Sequence, residues 1–196
     1  MSLEWAAVHQ LPGAIVQRWT PSWLSRVVCR TLGSQYSHDA LVVMTSAGSV
    51  KIGDCLPSGC RLTELERYIR GVTDQGWRVR VLVPEMYTVE RGLAASDWWF
   101  ENVRGHPYDF SILWSKWYIR LMWRVLATYV KAKYHVPIPS QLAENFEFAY
   151  WCTEGVAAAW LNGPGIDIWR KRNPTPRTTE KRCEEGKLRQ VLKYGG

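Results

Sequence analysis

The sequence predicts an α+β fold, with strands in the first half of the chain and helices in the second. Short apolar runs rich in β-branched residues, which are typical of strands, lie at 41–44 and 77–83. A long amphipathic pattern over 110–133 and an Ala-rich stretch over 153–161 are typical of helices. These periodicities assign the class before any single motif is considered.

The early elements follow from turn signals and apolar spacing. The turn at Pro12-Gly13 precedes a short strand at 14–16. Apolar residues spaced as on one helix face predict a helix over 23–32. After the strand at 41–44, we expect residues 49–54 to return beside it as a hairpin.

The later elements are mainly helical. Thr63 with Glu66 three residues on forms a capping-box pattern, which predicts that a helix begins at Thr63. Further helices are expected over 98–104 and 110–133, and the second carries lysines and arginines along one edge. The long helix could pack against a membrane surface or against the protein's own core, and the core is favoured.

Charge and length define the domain organisation. The 196 residues fit one domain, 1–196, with a basic C-terminal extension from about residue 170 that we expect to be largely extended. Residues 170–196 hold nine Lys or Arg against three Glu, and the whole chain carries +7. Such a segment suits an anionic cell wall or membrane surface, or serves as a solvated tail. Nucleic acid is not expected as a partner because no nucleic-acid-binding fold signature accompanies the charge.

The cysteine pattern and the first residues predict a compartment. The five cysteines are odd in number and scattered, which argues against a disulfide framework, although Cys55 and Cys60 are close enough in sequence to pair across a turn. No Cys/His cluster has zinc spacing. Residues 1–16 lack a basic start and a long apolar run, so no secretory signal is expected. We therefore predict a cytoplasmic protein, with release by phage lysis or in a virion left open.

Three residues form the candidate chemistry. Cys152 begins the Ala-rich helix, where unpaired amides and the helix dipole are expected to lower its pKa and to hold an oxyanion. His38 stands just before the strand at 41–44 and is the candidate base for the thiol. Asp54 closes the returning strand and is the candidate carboxylate that orients the imidazole. The plainer interpretations are a core cysteine, a surface histidine and a turn aspartate.

Five segments in chain order resemble the permuted papain-like amidases, the YiiX-like branch of the NlpC-type cell-wall endopeptidases. They lie at 11–16 (LPGAIV), 37–42 (SHDALV), 54–59 (DCLPSG), 107–110 (PYDF) and 151–156 (WCTEGV). No segment is specific alone, whereas the ordered series is fairly specific, with the histidine before the cysteine.

The sequence departs from the family pattern at three positions: Ala14 stands where the family has Asp, Asp54 where it has Glu, and Thr153 where it has Ser. The shorter Asp54 carboxylate bears most directly on the geometry of the triad.

The resemblance implies a circularly permuted papain-like (NlpC-type) fold, in which an antiparallel sheet packs against a Cys-bearing helix. It also implies a cysteine hydrolase that cleaves an amide or ester through a thioester acyl-enzyme, with Cys152, His38 and Asp54 catalytic and no cofactor or metal. The expected substrate is a small peptide or acyl amide, from peptidoglycan or a lipid-linked compound, and Tyr36 and Tyr108 are candidate substrate-binding residues. Acyl transfer remains open, and a catalytically silent binding module for an anionic polymer or membrane surface is the alternative.

Overall fold

The computed structural model describes residues 3–108, 151–170 and 174–194. The described strands, in chain order, are β1 (Ile15–Trp19), β2 (His38–Met44), β3 (Val50–Leu56), β4 (Gly59–Glu64), β5 (Arg78–Pro84) and β6 (Leu188–Tyr194). The described helices, in chain order, are α1 (Leu3–Val8), α2 (Trp23–Leu32), α3 (Leu65–Gln75), α4 (Val89–Asn102), α5 (Cys152–Asn162) and α6 (Pro176–Glu184).

The described strands form one antiparallel sheet in the order β4-β3-β2-β1-β5-β6. The predicted α+β class is therefore confirmed, and so is the return of β3 beside β2 as a hairpin. The predicted helix over 23–32 matches α2, which begins after the N-cap Ser22 and ends at Gly33 with a positive φ of 62°. The two strands that carry His38 and Asp54, β2 and β3, are neighbours in this sheet.

Each face of the sheet has its own apolar core. Helices α4 and α5 cover one face, where Trp99 and Trp160 are fully buried. Helix α3 contacts the other face and buries Tyr68 there. The indole of Trp160 also donates a hydrogen bond of 2.9 Å to the carbonyl of Gly13, which fixes α5 against the turn before β1. The N-terminus of α5 is consequently held at one end of the central strands.

The predicted helix start at Thr63 is wrong. Thr63 lies in β4, paired with Ile52, and α3 begins two residues later at Leu65, after the N-cap Glu64. Strand pairing with β3 buries Thr63 and supplies the backbone partners that a capping box would otherwise supply. Tertiary pairing therefore overrides a local capping signal at this position.

The expectation of an extended tail is also wrong for the described residues after 174. Thr175 caps α6, Pro176 occupies its first turn, and the chain then returns as β6 beside β5. The buried carboxylate of Glu180 on α6 accepts hydrogen bonds from Ser34 and the backbone of Gln35, at 2.9 and 2.6 Å. Part of the basic segment is thus built into the sheet and its flanking layer.

The long helix expected over 110–133 lies outside the described residues, as do Asp109 and Phe110 of the PYDF segment. Among the helices that the structure does describe, none combines the length and apolar character that crossing a membrane requires.

Candidate active site

His38 and Asp54 form a buried pair near one end of the neighbouring strands β2 and β3. Leu41 pairs with Gly53, so the alternation of side chains along each strand places His38 and Asp54 on the same face of the sheet. His38 Nε2 lies 2.8 Å from Asp54 Oδ1. The Tyr68 hydroxyl donates to the same oxygen at 2.6 Å. Two predicted site residues therefore meet directly, and a tyrosine on α3 holds the carboxylate from its other side.

The charge of Asp54 fixes the tautomer of His38. Burial raises the pKa of Asp54, but the hydrogen bond from His38 and the positive charge of Arg18 outweigh burial and hold this pKa well below its usual range. An ionised carboxylate only accepts hydrogen bonds, so His38 Nε2 carries the proton and donates it. Nδ1 is then left with its lone pair, which is the form a general base needs.

His38 is neutral at neutral pH. Burial lowers its pKa from the ordinary 6.5, the charge of Arg18 lowers it further, and the hydrogen bond to Asp54 opposes both without reversing them. A neutral imidazole can accept a proton, so His38 is ready to act as a base near pH 7.

Cys152 lies against the end of β2, where its thiol contacts Asp39, the residue that follows His38. It is the first residue of α5, its side chain is buried, and the backbone N–H of Asp39 hydrogen-bonds its thiol. Within the described part of the chain, no hydrogen bond joins the Cys152 sulfur to the His38 ring. Contacts of this kind are often long in unliganded enzymes and shorten when substrate binds.

The expectation of a lowered thiol pKa is wrong. Burial raises the pKa of Cys152 from 9.0 to about 12, and the negative charge of Asp39 acts in the same direction. The backbone N–H groups of Asp39 and Thr153 favour the thiolate but do not compensate. Position at a helix N-terminus is thus outweighed here by desolvation, and the resting pair is a neutral thiol and a neutral imidazole.

Iodoacetamide alkylation of Cys152 should therefore accelerate continuously as the pH rises past 9, because only the thiolate reacts and the thiol pKa is raised above 9.0. Rates resolved by site with mass spectrometry would check this, with Cys29 as the internal reference for a less buried thiol. A rate plateau between about pH 4 and pH 8 would instead indicate a preformed thiolate–imidazolium pair and contradict the neutral pair.

Asp39 links the elements around the site, and the sequence reasoning missed this role. One carboxylate oxygen accepts from Thr153 at 2.8 Å and from Thr179 at 2.7 Å, and the other accepts from Gln17 at 2.6 Å. These residues belong to α5, α6 and β1, so a single buried side chain joins three elements to β2. The sequence feature that could have revealed this role is a carboxylate between His38 and an apolar run, because a charge buried in such a strand needs partners.

Helix α5 approaches the sheet closely on its Cys152 side. A Cβ added at Gly155 would lie 2.9 Å from the sulfur of Cys55, which is closer than side chains pack, so glycine permits this contact. Cys55 and Cys60 face each other across β3 and β4 as free thiols, with their sulfurs 2.7 Å apart. The packing of α5 against β3 thus determines where Cys152 is placed.

A cavity of about 160 Å³ opens beside His38. Tyr108 and Trp151 line it, and their ring centroids lie 6.3 Å apart. Tyr36 is not among the lining residues: it is buried, and the guanidinium of Arg80 stacks over its ring at 4.6 Å. The structure therefore places Tyr108 at the cavity next to His38 and places Tyr36 away from it.

Arg18, also missed from the sequence, is directly opposite His38 in the β1–β2 ladder and lines the same cavity. The signal was a charge inside the continuation of the strand predicted at 14–16, which the structure extends to Trp19.

Comparison with known proteins identifies a fold. No family model and no curated protein matches the sequence. Among solved structures, the chain is similar to the crystal structure of the metalloprotein YiiX (DUF1105) from Escherichia coli O157:H7. The TM-score is 0.58 at 18% sequence identity, over 95% of this chain and 99% of that chain. At this identity the similarity concerns architecture, so the chain has a YiiX-like α+β fold over nearly its whole length.

Proposed function

We propose that this protein is a cysteine hydrolase of the permuted papain-like type, in which Cys152 attacks an amide or ester carbonyl. The observation that carries the proposal is the buried His38–Asp54 hydrogen bond of 2.8 Å at the strand end that the Cys152 thiol contacts. A histidine oriented by a carboxylate beside a thiol at a helix N-terminus is the arrangement that nucleophilic catalysis requires. The YiiX-like fold and the ordered sequence segments support the same assignment.

The neutral resting pair suggests how the first step proceeds. As the Cys152 sulfur forms a bond to the substrate carbonyl carbon, His38 Nδ1 takes the thiol proton, so no free thiolate accumulates in the buried site. The carbonyl oxygen becomes an oxyanion, and the backbone N–H of Cys152 at the start of α5 is the proposed donor to it. The carbon–nitrogen or carbon–oxygen bond then breaks as protonated His38 gives its proton to the leaving group, and a thioester remains.

The second step consumes that thioester. His38 takes a proton from water as the water oxygen attacks the thioester carbonyl. The carbon–sulfur bond then breaks to release the acid, and protonated His38 returns its proton to the Cys152 sulfur, which restores the thiol and the neutral imidazole. Throughout, Asp54 keeps its charge, holds Nε2–H in place and stabilises the imidazolium that forms twice per turnover. Replacement of water by another acceptor would make the same steps an acyl transfer.

The proposed substrates are small peptides or acyl amides, from peptidoglycan or a lipid-linked compound. A cavity of about 160 Å³ accommodates a group of amino-acid size beside His38. The net charge of +7 suits a substrate carried on an anionic cell wall or membrane surface. The anionic surface is thus a proposed partner, and the cytoplasm is the proposed location.

The neighbour YiiX is described as a metalloprotein, which raises the question of a metal site in this chain. Among residues 3–108, 151–170 and 174–194, no three or more His, Cys, Asp or Glu side chains are grouped so that they could hold a metal ion. His38 Nε2, moreover, is engaged by Asp54. These residues do not fit a metal centre, and the proposed steps assign no role to one.

The pH dependence of the acylation rate should show that the pKa of His38 is lowered. The active form of His38 is neutral, so the rate should rise with pH through the His38 pKa, which burial places below 6.5, and then level off. Nitrophenolate release from p-nitrophenyl acetate, followed from about pH 4 to pH 8, measures this limb. A midpoint above 6.5 would show that the protonated form is stabilised and would contradict the neutral pair.

A substrate panel tests the proposed function itself. Peptide amides, acyl amides and esters should be hydrolysed by the parent protein and by a Cys29→Ala variant, and not by Cys152→Ala. The second candidate, a catalytically silent binding module, is favoured by the raised pKa of the Cys152 thiol. It takes precedence if no compound is turned over and Cys152→Ala behaves like the parent.

A further inference from the structure

The cavity beside His38 contains one formal charge among the described residues that line it. Arg18 faces His38 directly in the β1–β2 ladder, so the two side chains emerge on the same face of the sheet. No aspartate or glutamate belongs to the described lining. An anion that enters the cavity would therefore meet a cation and no carboxylate on the described wall, while Asp54, which does not line the cavity, adds a negative charge near Arg18.

The Arg18 guanidinium is held by two aromatic rings and by a hydrogen bond with the Tyr68 side chain, and it forms no ion pair with a described residue. Its Cζ lies 5.0 Å from the Tyr68 ring centroid and 4.8 Å from the Trp77 ring centroid. Within the described residues its Nε is buried with no hydrogen-bond partner, and the side chain forms no salt bridge. Asp54 contributes a nearby negative charge without an ion-pair contact. A planar donor group that is immobilised and forms no ion pair favours recognition of a planar oxyanion.

The rest of the cavity wall is suited to the same kind of ligand. Helix α2 begins at this wall, and the partial positive charge of its N-terminus adds to the charge of Arg18. Four hydroxyl side chains also line the cavity: Thr20, Ser22, Ser25 and Ser37. Apolar side chains complete the lining: Leu24, Val28, Leu56 and Pro57. The cavity thus combines a cation, hydroxyls and an apolar wall.

The volume of the cavity favours a carboxylate over a phosphate as the oxyanion that Arg18 binds. A guanidinium binds carboxylate and phosphate with similar bidentate geometry. The volume of about 160 Å³ is close to that of an engineered cavity of about 150 Å³ that holds benzene, so it takes one residue-sized group. A free or side-chain carboxylate of an amino acid fits this volume, whereas a phosphate that carries a glycerolipid exceeds it.

We propose that Arg18 binds a carboxylate of the substrate in this cavity, next to the carbonyl that Cys152 attacks. The inference rests on the proposed hydrolase function and narrows its substrates to acyl compounds or peptides with a carboxylate near the cleaved bond. Neutral amides of the same shape are then poorer substrates, because the buried guanidinium would remain without an acceptor.

Ligand-induced thermal stabilisation at fixed ionic strength tests the inference without any turnover. N-acetylglycine should raise the Tm of the parent protein, and the isosteric N-acetylglycinamide should not. Arg18→Gln should weaken the binding of N-acetylglycine by about tenfold or more, since a charge-assisted hydrogen bond is lost. Arg18→Lys, which keeps the cation but not the bidentate geometry, should retain part of the effect.

Arg78→Gln is the matched control. Arg78 also stacks on an aromatic ring, with its Cζ 4.2 Å from the Trp19 ring centroid, and also has a buried Nε without a partner in the described chain, but it does not line the cavity. The inference predicts that Arg78→Gln binds N-acetylglycine like the parent. Equal losses in Arg18→Gln and Arg78→Gln would show a general charge effect and overturn it.

Three further outcomes test the carboxylate assignment and the hydrolase function separately. Stabilisation by inorganic phosphate without stabilisation by N-acetylglycine would overturn the carboxylate assignment, as would an equal effect of acid and amide. Cys152→Ala should bind N-acetylglycine normally. Carboxylate binding that persists while no acyl donor reacts at Cys152 would overturn the hydrolase function and leave the subsite standing.

Discussion

His38→Ala should slow acylation of Cys152 by about 10²–10⁴-fold, the usual contribution of a general base. The effect is expected to be large because the buried thiol has a pKa of about 12 and does not ionise by itself near neutrality. Without Nδ1 to take the proton, the sulfur cannot attack as a good nucleophile. The measurement is the rate of nitrophenolate release from p-nitrophenyl acetate near pH 7.

His9→Ala serves as the control, because His9 lies just after α1 and takes no part in the site. Its acylation rate should match that of the parent protein. If His38→Ala acylates Cys152 as fast as the parent while both unfold at the same urea concentration, His38 is not the base and the triad assignment fails.

Asp54→Ala should lower the free energy of unfolding by about 3–5 kcal/mol, the range seen when one partner of a buried charged pair is removed. The substitution leaves the Tyr68 hydroxyl and His38 Nε2–H without their acceptor, and removes the negative charge of Asp54 that interacts with Arg18. Urea unfolding at pH 7 measures the loss. Asp97→Ala, at an exposed carboxylate on α4, is the control and should change stability by about 0.5 kcal/mol or less.

The stabilisation by Asp54 has a defined pH window. Its folded pKa is depressed below 3.8, so its contribution is fully present above the unfolded pKa and is lost as the pH falls through the folded pKa. The difference between parent and Asp54→Ala should therefore be constant above about pH 5 and shrink in stronger acid. A difference that instead grows as the pH falls would contradict an ionised Asp54.

Asp54→Asn separates the role of residue 54 in orienting the His38 ring from the role of its negative charge. The amide oxygen can still accept from His38 Nε2, so stability should suffer less than in Asp54→Ala. Loss of the negative charge removes an interaction that raises the pKa of His38, so the acid limb of the acylation profile should move to lower pH. A shift to higher pH would exclude the proposed electrostatic role.

Local patterns were sufficient for the parts of the site that depend on a single element. Apolar spacing and the following Gly33 predicted α2 at its observed bounds, and a cysteine at the start of an Ala-rich run predicted Cys152 at the first residue of α5. The pairing of His38 with Asp54 followed from the expectation that two successive strands form a hairpin.

Features that depend on strands distant in sequence could not be read in this way. Arg18 meets His38 only because β1 inserts beside β2, and Thr179 reaches Asp39 only because α6 packs near the end of the sheet. The pKa of Cys152 likewise depends on how deeply α5 is buried, which no property of the helix sequence specifies. The position of Cys152 at a helix N-terminus therefore predicted a lowered thiol pKa, whereas burial raises it.

Trapping an acyl-enzyme by mass spectrometry tests the central claim most directly. After brief exposure to p-nitrophenyl acetate near pH 7, the account predicts one acetyl group on Cys152 and little on Cys29 or Cys183, although both of those thiols are more exposed. Cys152→Ser has no sulfur at this position and should form no thioester there. In His38→Ala the acetyl label on Cys152 should be reduced. Acetylation of Cys29 and Cys183 with Cys152 unmodified would mean that exposure alone governs reactivity, and Cys152 would then not be a nucleophile.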